Sequence, residues 1–557
     1  MPPSDDDEEN TAPVSHAARP WVTLKYGGTS VSFEKTWRSI ANRIKELLPK
    51  YRVVLVLSAL SQVTNRLEMC LQEAVKQEEL VSLAWIEERH RQLAKEAGLP
   101  LTALKGVFEK LAELGEILQG VRLIREVSPR LKARVCAFGE QMSTVMAVQI
   151  LKDMEVKASL VPAMELLLSV QVPHATEEDR YLNASVLPVK DPERAEHIVD
   201  RHGRQDVVVT QGFVCRNHRN ESCLLGRGGS DTSGSLMAAF FAAHHLEIWT
   251  DVYGMFSGDP RKMPHARLIL RISSREAQEL ATSGAKVLHP RCIAPAALAG
   301  IPIEIRNTMD PGSEYTLITV DDYCDAGALP TLGEDGALSP HASAGSSSRG
   351  SSTQGCILLS LTTMEMWGTY GFLGKCFAPF EEFGLSVDHV ATSQTGVSVT
   401  LSYVPGGPEG DAFQGLLKAI GEMGTGLLKA LGEMGTVEWQ AHCSVVTVVG
   451  NRLSQRLPDI GRAMQKLQDV EVLMVSASSE DVAMSFIVRE KAAQALVEVF
   501  HHQLIPVTGG DAMFGSTFRQ LTEEDGSERH LSLDLREAEL AALDALAALH
   551  TSCNGPN

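Results

Sequence analysis

The stretch Gly226-Arg227-Gly228-Gly229-Ser230-Asp231 carries the signal that decides the predicted fold. It follows an apolar run at 207–209 and precedes a helix-like segment at 234–241. Glycines let a backbone approach an anion, an arginine offers a planar fork to a carboxylate or phosphate, and the free N–H groups of a helix start favour negative ligands. The stretch therefore predicts an anion-binding turn between a strand and a helix.

Two further loops repeat this arrangement. Lys25-Tyr26-Gly27-Gly28-Thr29-Ser30 follows a short strand at 21–24, and residues 249–261 have turn chemistry after an apolar segment. One glycine turn between a strand and a helix is more often plain punctuation. Three such loops in one chain indicate an enzyme that handles phosphates.

Strand and helix signals alternate along residues 21–320. The candidate strands are 53–57, 134–137, 158–161, 207–209, 247–250 and 303–306, and residues 66–128 have an almost entirely helical pattern. The alternation predicts an α/β fold in which a mainly parallel sheet lies between helices. Ligands bind at the carboxyl ends of the strands in such folds, where all three glycine loops would lie.

The composition divides the chain into six segments. They are a disordered acidic leader (1–20), the α/β domain (21–320), a flexible Ser/Gly-rich linker (321–355), two small domains with a βαββαβ pattern (356–441 and 442–510) and a C-terminal tail (511–557). Residues 415–425 are repeated with one change at 426–436. A surface loop is favoured over a lengthened regulatory helix, because three glycines per copy weaken a helix.

Length and composition restrict the class of protein. A chain of 557 residues is too long for one core, and its net charge of −19 argues against a general nucleic-acid surface. No apolar run is long enough to span a membrane, and the acidic leader lacks the features of a signal or transit peptide. Ten scattered cysteines without a close CxxC pair indicate a reducing, cytoplasmic compartment.

The three glycine loops resemble the signature loops of aspartate kinases, which belong to the amino-acid kinase superfamily. Further matches lie at 56–59, 138–143 and 284–290, and the C-terminal third resembles the paired ACT regulatory domains of lysine-sensitive aspartate kinases. The resemblance implies an amino-acid-kinase fold followed by two ACT-like domains. It also implies ATP-dependent phosphorylation of the β-carboxylate of L-aspartate, the entry step to lysine, threonine and methionine.

Phosphoryl transfer to a carboxylate brings negative charges together, so catalysis depends on positioning and charge neutralisation. Lys25 is the candidate cation for the transferring phosphoryl group, and the resemblance implies that Asp231 orients its ammonium. Without these neighbours the two residues would be a surface lysine and a helix N-cap. No catalytic base is required, because the β-carboxylate of aspartate is already ionised near pH 7.

The aspartate site implied by the resemblance comprises Ser58, Thr64, Glu140, Arg227 and Ser230. Arg227 suits the α-carboxylate through a bidentate pair, Glu140 suits the ammonium, and the hydroxyl groups suit the side chain. One departure is Gln62, which stands where the family usually has a glycine, two residues before the matching threonine.

The implied ATP site comprises Lys25, Gly27, Gly28, Thr250, Asp251, Phe256, Arg261 and Lys286. Phe256 stands where relatives commonly carry tyrosine, so packing on the nucleotide survives but a hydroxyl is lost. Mg²⁺ is expected to bridge the phosphates and to be held mainly by phosphate oxygens and water. The sequence contains no dedicated cluster of metal ligands, and adjacent histidines such as His244 and His245 suit surface or packing roles.

The implied lysine site comprises Met366, Thr369, Gly371, Phe372, Leu373, Asp388 and Ser393. Asp388 would meet an ammonium and the 371–373 backbone a carboxylate, whereas the alternative is an ordinary βαββαβ core and turn. The expected partners are ATP, L-aspartate, lysine as an allosteric effector and a second copy of the chain joined through the ACT domains. Two alternatives remain: another enzyme of the superfamily, such as a glutamate or carbamate kinase, and a non-catalytic amino-acid sensor.

Overall fold

The structure is a computed structural model. It describes residues 19–173, 175–283, 287–320, 356–383, 385–401, 426–466, 470–505 and 513–523, and the backbone of 341–344. The described residues form two compact units: the first includes the chain up to Gly254 and from Leu288 to 320, and the second includes the remainder. The stretch 255–283, which the sequence places within the α/β domain, is thus grouped with the second unit.

A largely parallel sheet forms the centre of the first unit. The strands of this unit are β1 (Trp21–Tyr26), β2 (Arg52–Leu57), β3 (Ala158–Leu160), β4 (Val207–Gln211), β5 (Val214–Arg216), β6 (Ser222–Leu224), β7 (Leu246–Thr250), β10 (Ile303–Asn307) and β11 (Thr316–Thr319). Strands β5 and β6 form a hairpin, and the sheet order is β3-β4-β2-β1-β7-β10-β11. All pairs in it are parallel except the antiparallel pair β10–β11, which confirms the predicted mainly parallel sheet.

Helices cover this sheet. They are α1 (Glu34–Leu47), α2 (Val63–Lys76), α3 (Val81–Glu96), α4 (Lys105–Ile124), α5 (Pro129–Cys136), α6 (Phe138–Asp153), α7 (Ala163–Leu166), α8 (Glu177–Tyr181), α9 (Pro192–Arg201), α10 (Gly229–Phe240) and α12 (Pro290–Leu298). In α1 the buried residues Trp37, Ile40 and Ile44 recur at helical spacing and so form one apolar face. Every residue of β1 and β2 is buried, as expected for central strands covered on both faces.

One predicted strand is wrong. Residues 134–137 belong to α5 and the turn after it, not to a strand. The helix starts where the Ser128 side chain accepts a hydrogen bond from the Leu131 N–H, with Pro129 in the first turn. These capping signals outweigh the short apolar run, whose length alone cannot distinguish a buried strand from a buried helical turn.

The second unit contains the elements of the two predicted βαββαβ repeats, except that the strand after the last helix of the second repeat lies outside their common sheet. Its strands are β8 (Arg267–Ile269), β9 (Arg271–Ser273), β12 (His341–Ala344), β13 (Cys356–Thr362), β14 (Val390–Thr392), β15 (Gly396–Leu401), β16 (Thr436–Val449), β17 (Val472–Ala477), β18 (Ala483–Arg489) and β19 (Phe514–Thr517). Its helices are α11 (Ser274–Thr282), α13 (Phe372–Glu382), α14 (Leu427–Gly432), α15 (Leu457–Gln465), α16 (Glu490–Leu504) and α17 (Phe518–Glu523). The sheet order is β14-β15-β13-β16-β18-β17, and the long strand β16 belongs to both repeats.

Two details differ from the sequence-based predictions. Within the predicted linker, the backbone of β12 pairs antiparallel with the end of β16, so this part of the linker is a strand. The second copy of the duplication forms α14 and the turn after it, with Leu427 and Leu431 buried in the core of the first repeat. That copy is therefore not a surface loop, and the first copy, 415–425, lies outside the described residues, as do the acidic leader to residue 18 and the tail from 524.

Two further observations concern the described helices and cysteines. Among the described helices, none is long and apolar enough to cross a membrane. Eight cysteines fall within the described ranges, and all eight are buried with free thiols. Burial raises the pKa of several of these thiols, for example that of Cys70 to about 12, so they behave as small apolar side chains rather than nucleophiles.

Candidate active site

Lys25 and Asp231 form an ion pair at the carboxyl end of β1. Lys25 is the penultimate residue of that strand and is only 6% exposed, and Asp231 lies in the first turn of α10. A Cβ on Gly234 would lie 3.1 Å from the Lys25 Cβ, so the glycine lets α10 pack directly on the lysine. The structure therefore brings together the two residues predicted to be catalytic.

The predicted glycine loops of the first unit meet at one edge of the sheet. In the parallel register Lys25 lies opposite Val56 on one side and Ile248 on the other, so the loops after β1, β2 and β7 begin at the same level. Ser230, in α10, also lies at this edge. A Cβ added to Gly212, the residue after β4, would lie 3.0 Å from the Ser230 Oγ. Three elements distant in sequence thus converge around the Lys25–Asp231 pair.

Ser32 joins the loops after β1 and β2. Its Oγ donates to the Gly28 carbonyl at 2.7 Å and accepts from the Ser61 N–H at 2.8 Å. Gly28 is packed so closely that a Cβ there would lie 2.9 Å from the Ala59 carbonyl oxygen. Sequence reasoning missed Ser32, since nothing in the local pattern distinguishes its buried hydroxyl from that of its neighbour Ser30.

Glu140 presents a buried carboxyl group beside the end of β2. It lies in the first turn of α6, is 3% exposed, and its Oε1 accepts from the Ala59 N–H at 3.2 Å. Its Oε2 has no hydrogen-bond partner among the described residues. Burial raises the Glu140 pKa to about 8. An unpaired buried oxygen is costly, and a ligand ammonium group would both pair it and favour its ionised form.

Ser58 and Thr64 lie on the chain segment after β2, before and after Ala59, whose N–H meets this carboxyl group. The Ser143 Oγ of α6 donates to the Ser58 carbonyl at 2.8 Å, which fixes the end of the strand against that helix. Thr64 is the second residue of α2 and is half-buried. A Cβ on Gly139 would lie 2.9 Å from the Ala59 Cβ, so α6 and this segment are in close contact.

Gln62 occupies the left-handed backbone region, with φ 67° and ψ −9°, immediately before α2. A glycine adopts this conformation without the steric cost that other residues incur. The family's glycine would suit this backbone conformation, and Gln62 carries the backbone strain instead. Its Oε1 accepts from the Asn65 side-chain amide at 2.9 Å, within the same turn.

Arg227 lies exposed in the turn before α10, between two glycines with positive φ. The second of these, Gly228, has φ 66° and faces the His289 ring, whose Cγ would lie 2.3 Å from an added Cβ. His289 was not among the predicted site residues, although its stretch, 284–290, was one of the matched motifs. Its contact with the turn holds the glycine stretch in place.

The predicted ATP residues are only partly brought together within the first unit. Gly27 lies beside the Lys25 ammonium group, because a Cβ added to Gly27 would lie 3.7 Å from the Lys25 Nζ. The Thr250 hydroxyl donates to the Asp251 carboxylate at 3.1 Å. The remaining three lie elsewhere. Phe256 and Arg261 belong to the second unit, and Lys286 lies outside the described residues.

The predicted effector residues lie around the first turn of α13 and the strands beside it. Gly371, with φ 74°, caps α13, and Phe372 is buried in the apolar core, so only its backbone can meet a ligand. Met366 packs against the same core, whereas Thr369, Leu373, Asp388 and Ser393 are exposed. The Asp388 N–H donates to the Thr400 carbonyl at 3.0 Å, which orders the segment carrying the carboxylate.

One group in the described residues has metal-ligand chemistry, formed by His245, Glu247 and Glu304. Arg43 donates to both Glu247 oxygens, at 2.6 and 3.1 Å, and Arg306 donates to Glu304 at 2.8 Å. Although burial opposes ionisation, hydrogen bonds from His245 and Arg43 hold the Glu247 pKa at about 2. These carboxylates are already paired with guanidinium groups, so the cluster is a buried ion-pair network rather than a metal site.

A family model described as the amino acid kinase family matches residues 20–307, the range that contains the Lys25–Asp231 pair and its converging loops. The chain belongs to the amino acid kinase family. Among amino acid kinases it is similar to aspartokinase 2, chloroplastic, of Arabidopsis thaliana, with 29% identity over 86% of this chain and 83% of that protein. It is also 28% identical to lysine-sensitive aspartokinase 3 of Escherichia coli, over 87% of this chain and 99% of that protein.

A solved structure agrees with these relatives. The structure of Escherichia coli aspartokinase III in complex with aspartate and ADP, called the R-state, aligns with a TM-score of 0.64 and 25% identity. The alignment covers 87% of this chain and 99% of the aspartokinase III chain. This amino acid kinase is therefore similar to aspartokinases across both its catalytic and its C-terminal regions, and none of these relatives supports a glutamate or carbamate kinase.

Proposed function

We propose that this chain is an ATP-dependent L-aspartate kinase that produces 4-phospho-L-aspartate and ADP. The observation that carries the proposal is the buried Lys25–Asp231 ion pair at the sheet edge where the loops after β1, β2 and β7 begin. Its similarity to aspartokinases over more than four fifths of its length supports the choice of substrate.

The reaction forms a bond between a β-carboxylate oxygen of aspartate and the γ-phosphorus of ATP, while the bond from that phosphorus to the leaving ADP oxygen breaks. Lys25 neutralises charge on the transferring group, and Asp231 holds its ammonium in place. No proton leaves the nucleophile, because a carboxylate is already ionised near pH 7. The chain thus needs positioning and charge neutralisation but no general base.

Aspartate is held by complementary charges around the end of β2. Glu140 pairs with the ammonium group, since its Oε2 is buried and has no hydrogen-bond partner in the described part of the chain. Arg227 binds the α-carboxylate, and the hydroxyl groups of Ser58, Thr64 and Ser230 contact the side chain. A glutamate side chain is one methylene longer, so its carboxylate would miss the position set by these groups.

Gly27, Gly28, Thr250 and Asp251 bind ATP in this proposal, and the resemblance implies Phe256, Arg261 and Lys286 as further nucleotide ligands. Magnesium is held mainly by phosphate oxygens and water. The exposed Asp251 carboxylate fits such an ion. The ion would neutralise charge on the phosphates.

Lysine regulates the enzyme through the first βαββαβ repeat, which we regard as an ACT domain. The exposed Asp388 carboxylate suits the ammonium group of an amino-acid effector, and the backbone at the start of α13 supplies hydrogen-bond donors for its carboxylate. The relative named lysine-sensitive aspartokinase 3 supports lysine as that effector. Association of two chains through these domains and a cytoplasmic location complete the proposal.

A hydroxamate assay tests the function directly. Purified full-length chain is incubated with MgATP and hydroxylamine, and with aspartate, glutamate or carbamate in parallel. Acyl phosphate is expected with aspartate alone. Product with glutamate but not aspartate would identify another kinase of the family, and no product with any acceptor despite amino-acid binding would identify a sensor.

A further inference from the structure

Residues 255–269 are grouped with the second compact unit, although they follow the first-unit residues Thr250 and Asp251 directly in the chain. This stretch, here called the nucleotide segment, carries two of the proposed ATP ligands, Phe256 and Arg261. The contacts that hold the nucleotide segment therefore determine where these two side chains lie.

Apolar contacts bind the nucleotide segment to the second βαββαβ repeat. Met263 and Ala266 are fully buried in one apolar cluster with Leu453 and Phe500, and Phe256 packs against the same cluster. Strand β8 within the segment pairs antiparallel with β19, which follows the last helix of that repeat. The segment is thus part of the core of the second repeat.

A buried network of hydrogen bonds also connects the nucleotide segment to the second repeat. The Ser257 Oγ lies 2.8 Å from the His501 Nε2 of α16, and it accepts from the Arg267 N–H at 2.9 Å. The Arg267 guanidinium donates to the carbonyls of Phe514 at 2.8 Å and Gly515 at 3.1 Å. The network connects both ends of the nucleotide segment to the C-terminal elements.

His501 is suited to accept a hydrogen bond from the Ser257 hydroxyl. It is 4% exposed, and its ring centroid lies 5.1 Å from that of His265. Burial, with the nearby His265 and His502, lowers the His501 pKa to about 4, so the ring is neutral near pH 7 and its Nε2 can accept from Ser257. Loss of either partner would leave a buried polar group unpaired, which is costly.

We propose that His501 is a positioning residue for nucleotide binding: through Ser257 it fixes the segment that carries Phe256 and Arg261. The inference rests on the proposed function, since it concerns the nucleotide site of that enzyme. His501 lies 244 positions along the chain from Ser257, the serine that it contacts. The proposal therefore gives a role in nucleotide binding to a residue of the second repeat, which lacks the proposed catalytic residues. His501 touches neither ATP nor aspartate in this role.

Three variants of the full-length chain test the role. His501→Leu and Ser257→Ala each remove the hydrogen bond while keeping the site filled, and His501→Gln restores an acceptor near the Nε2 position. Binding of MgADP is measured by titration calorimetry, and KM is measured for ATP and for aspartate. We expect His501→Leu and Ser257→Ala to weaken MgADP binding and raise the ATP KM by about tenfold, the effect of one lost hydrogen bond.

The aspartate KM should stay within about twofold, and His501→Gln should recover most of the MgADP affinity. His502→Leu is the matched control, because His502 is the exposed neighbour on the same helix. Unchanged MgADP affinity in the folded His501→Leu and Ser257→Ala chains, or equal rises in both KM values, would overturn the proposal. A wild-type chain that binds MgADP but forms no acyl phosphate would contradict the proposed function alone, since the binding measurement would still test His501.

Discussion

At the scale of single residues, the site depends on charged groups whose state is set by burial. Lys25 and Asp231 form an ion pair that is mostly shielded from solvent, whereas Glu140 has one oxygen without a hydrogen-bond partner in the described residues. The first arrangement is ready for a phosphoryl group before any ligand arrives. In the proposed function a ligand ammonium group would complete the second arrangement, so substrate binding would depend on pH.

The Lys25–Asp231 pair gives the first prediction. Lys25→Met should lower kcat by at least about a hundredfold, because charge on the transferring group is no longer neutralised. It should also destabilise the fold by about 1–3 kcal/mol, since the half-buried Asp231 carboxylate loses its partner. Lys25→Met/Asp231→Asn should recover much of the stability but none of the activity. Steady-state kinetics and denaturant unfolding measure the two effects, and a kcat within tenfold of wild type would contradict the assignment.

Glu140 gives a prediction on pH. With a pKa raised by burial to about 8, most of its carboxyl groups are protonated at pH 6, and aspartate binding must displace that proton. The aspartate KM should therefore fall as pH rises from 6 toward 8, while the ATP KM changes little. Calorimetry in buffers of different ionisation enthalpy should detect the released proton. Glu140→Gln should bind aspartate weakly with a flat pH profile, and proton release persisting in this variant would refute the role.

The same shift has a consequence for stability. The folded-state pKa of Glu140 lies above the ordinary value of 4.5, so the neutral carboxyl group favours folding fully below about pH 4.5. This contribution is lost as pH rises from there through about 8, because the unfolded chain ionises first. Aspartate should offset the loss by pairing with the ionised group.

Gln62 gives a third prediction at this scale. Gln62→Gly should stabilise the protein by about 0.5–1 kcal/mol, because glycine relieves the positive φ of 67°. Gln62→Ala is the matched control, since it removes the same side chain but keeps the backbone strain. Urea denaturation measures both variants. If Gln62→Ala stabilised the protein as much as Gln62→Gly, the side chain rather than the backbone would be responsible.

At the scale of elements, the second copy of the duplicated segment supplies a helix to the core of the first repeat. In the second copy, Leu427 and Leu431 of α14 are buried in the core of the first repeat. The helix is short, and its buried positions lie four residues apart on one face. The second copy thus supplies what the βαββαβ pattern requires of its second helix.

This placement predicts an asymmetry between the copies. Leu431→Ala should destabilise the protein by about 2–5 kcal/mol, the usual cost of truncating a buried leucine. Ile420→Ala, the matching change in the first copy, should cost less than about 1 kcal/mol. Deletion of 415–425 should leave a folded, active enzyme. Thermal unfolding measures all three variants, and an equal loss from both alanine substitutions would show that the first copy also fills the core.

At the scale of the whole molecule, regulation requires that an effector bind one state of the enzyme better than another. Asp388 is exposed on the first repeat and belongs to a different compact unit from Lys25 and Asp231. Its removal should leave the uninhibited activity unchanged and weaken the response to lysine alone.

Asp388→Ala should raise the lysine concentration for half-inhibition by at least about tenfold, because an ammonium partner is lost. Glu382→Ala, an exposed carboxylate at the end of α13, is the control and should leave inhibition unchanged. Activity is titrated with lysine, threonine and methionine. A wild-type enzyme that does not respond to lysine would refute the effector assignment.

Local sequence patterns determined much of this protein. The apolar runs before the three glycine-bearing loops predicted strands β1, β4 and β7, and Gly226 to Asp231 predicted the start of α10, because strand and turn signals lie in local stretches of sequence. The two βαββαβ patterns were predicted for the same reason. The error at 134–137 arose where a short apolar run suits either a strand or a helix.

Only the tertiary structure determined the states and partners of the site. The raised pKa of Glu140, the joining of two loops by Ser32 and the left-handed backbone of Gln62 all depend on packing between separate elements. The contact between Ser257 and His501 spans 244 positions, which no local pattern can encode. Burial and long-range hydrogen bonds are properties of the folded chain, so the sequence indicates the chemistry of a residue while the fold determines its surroundings.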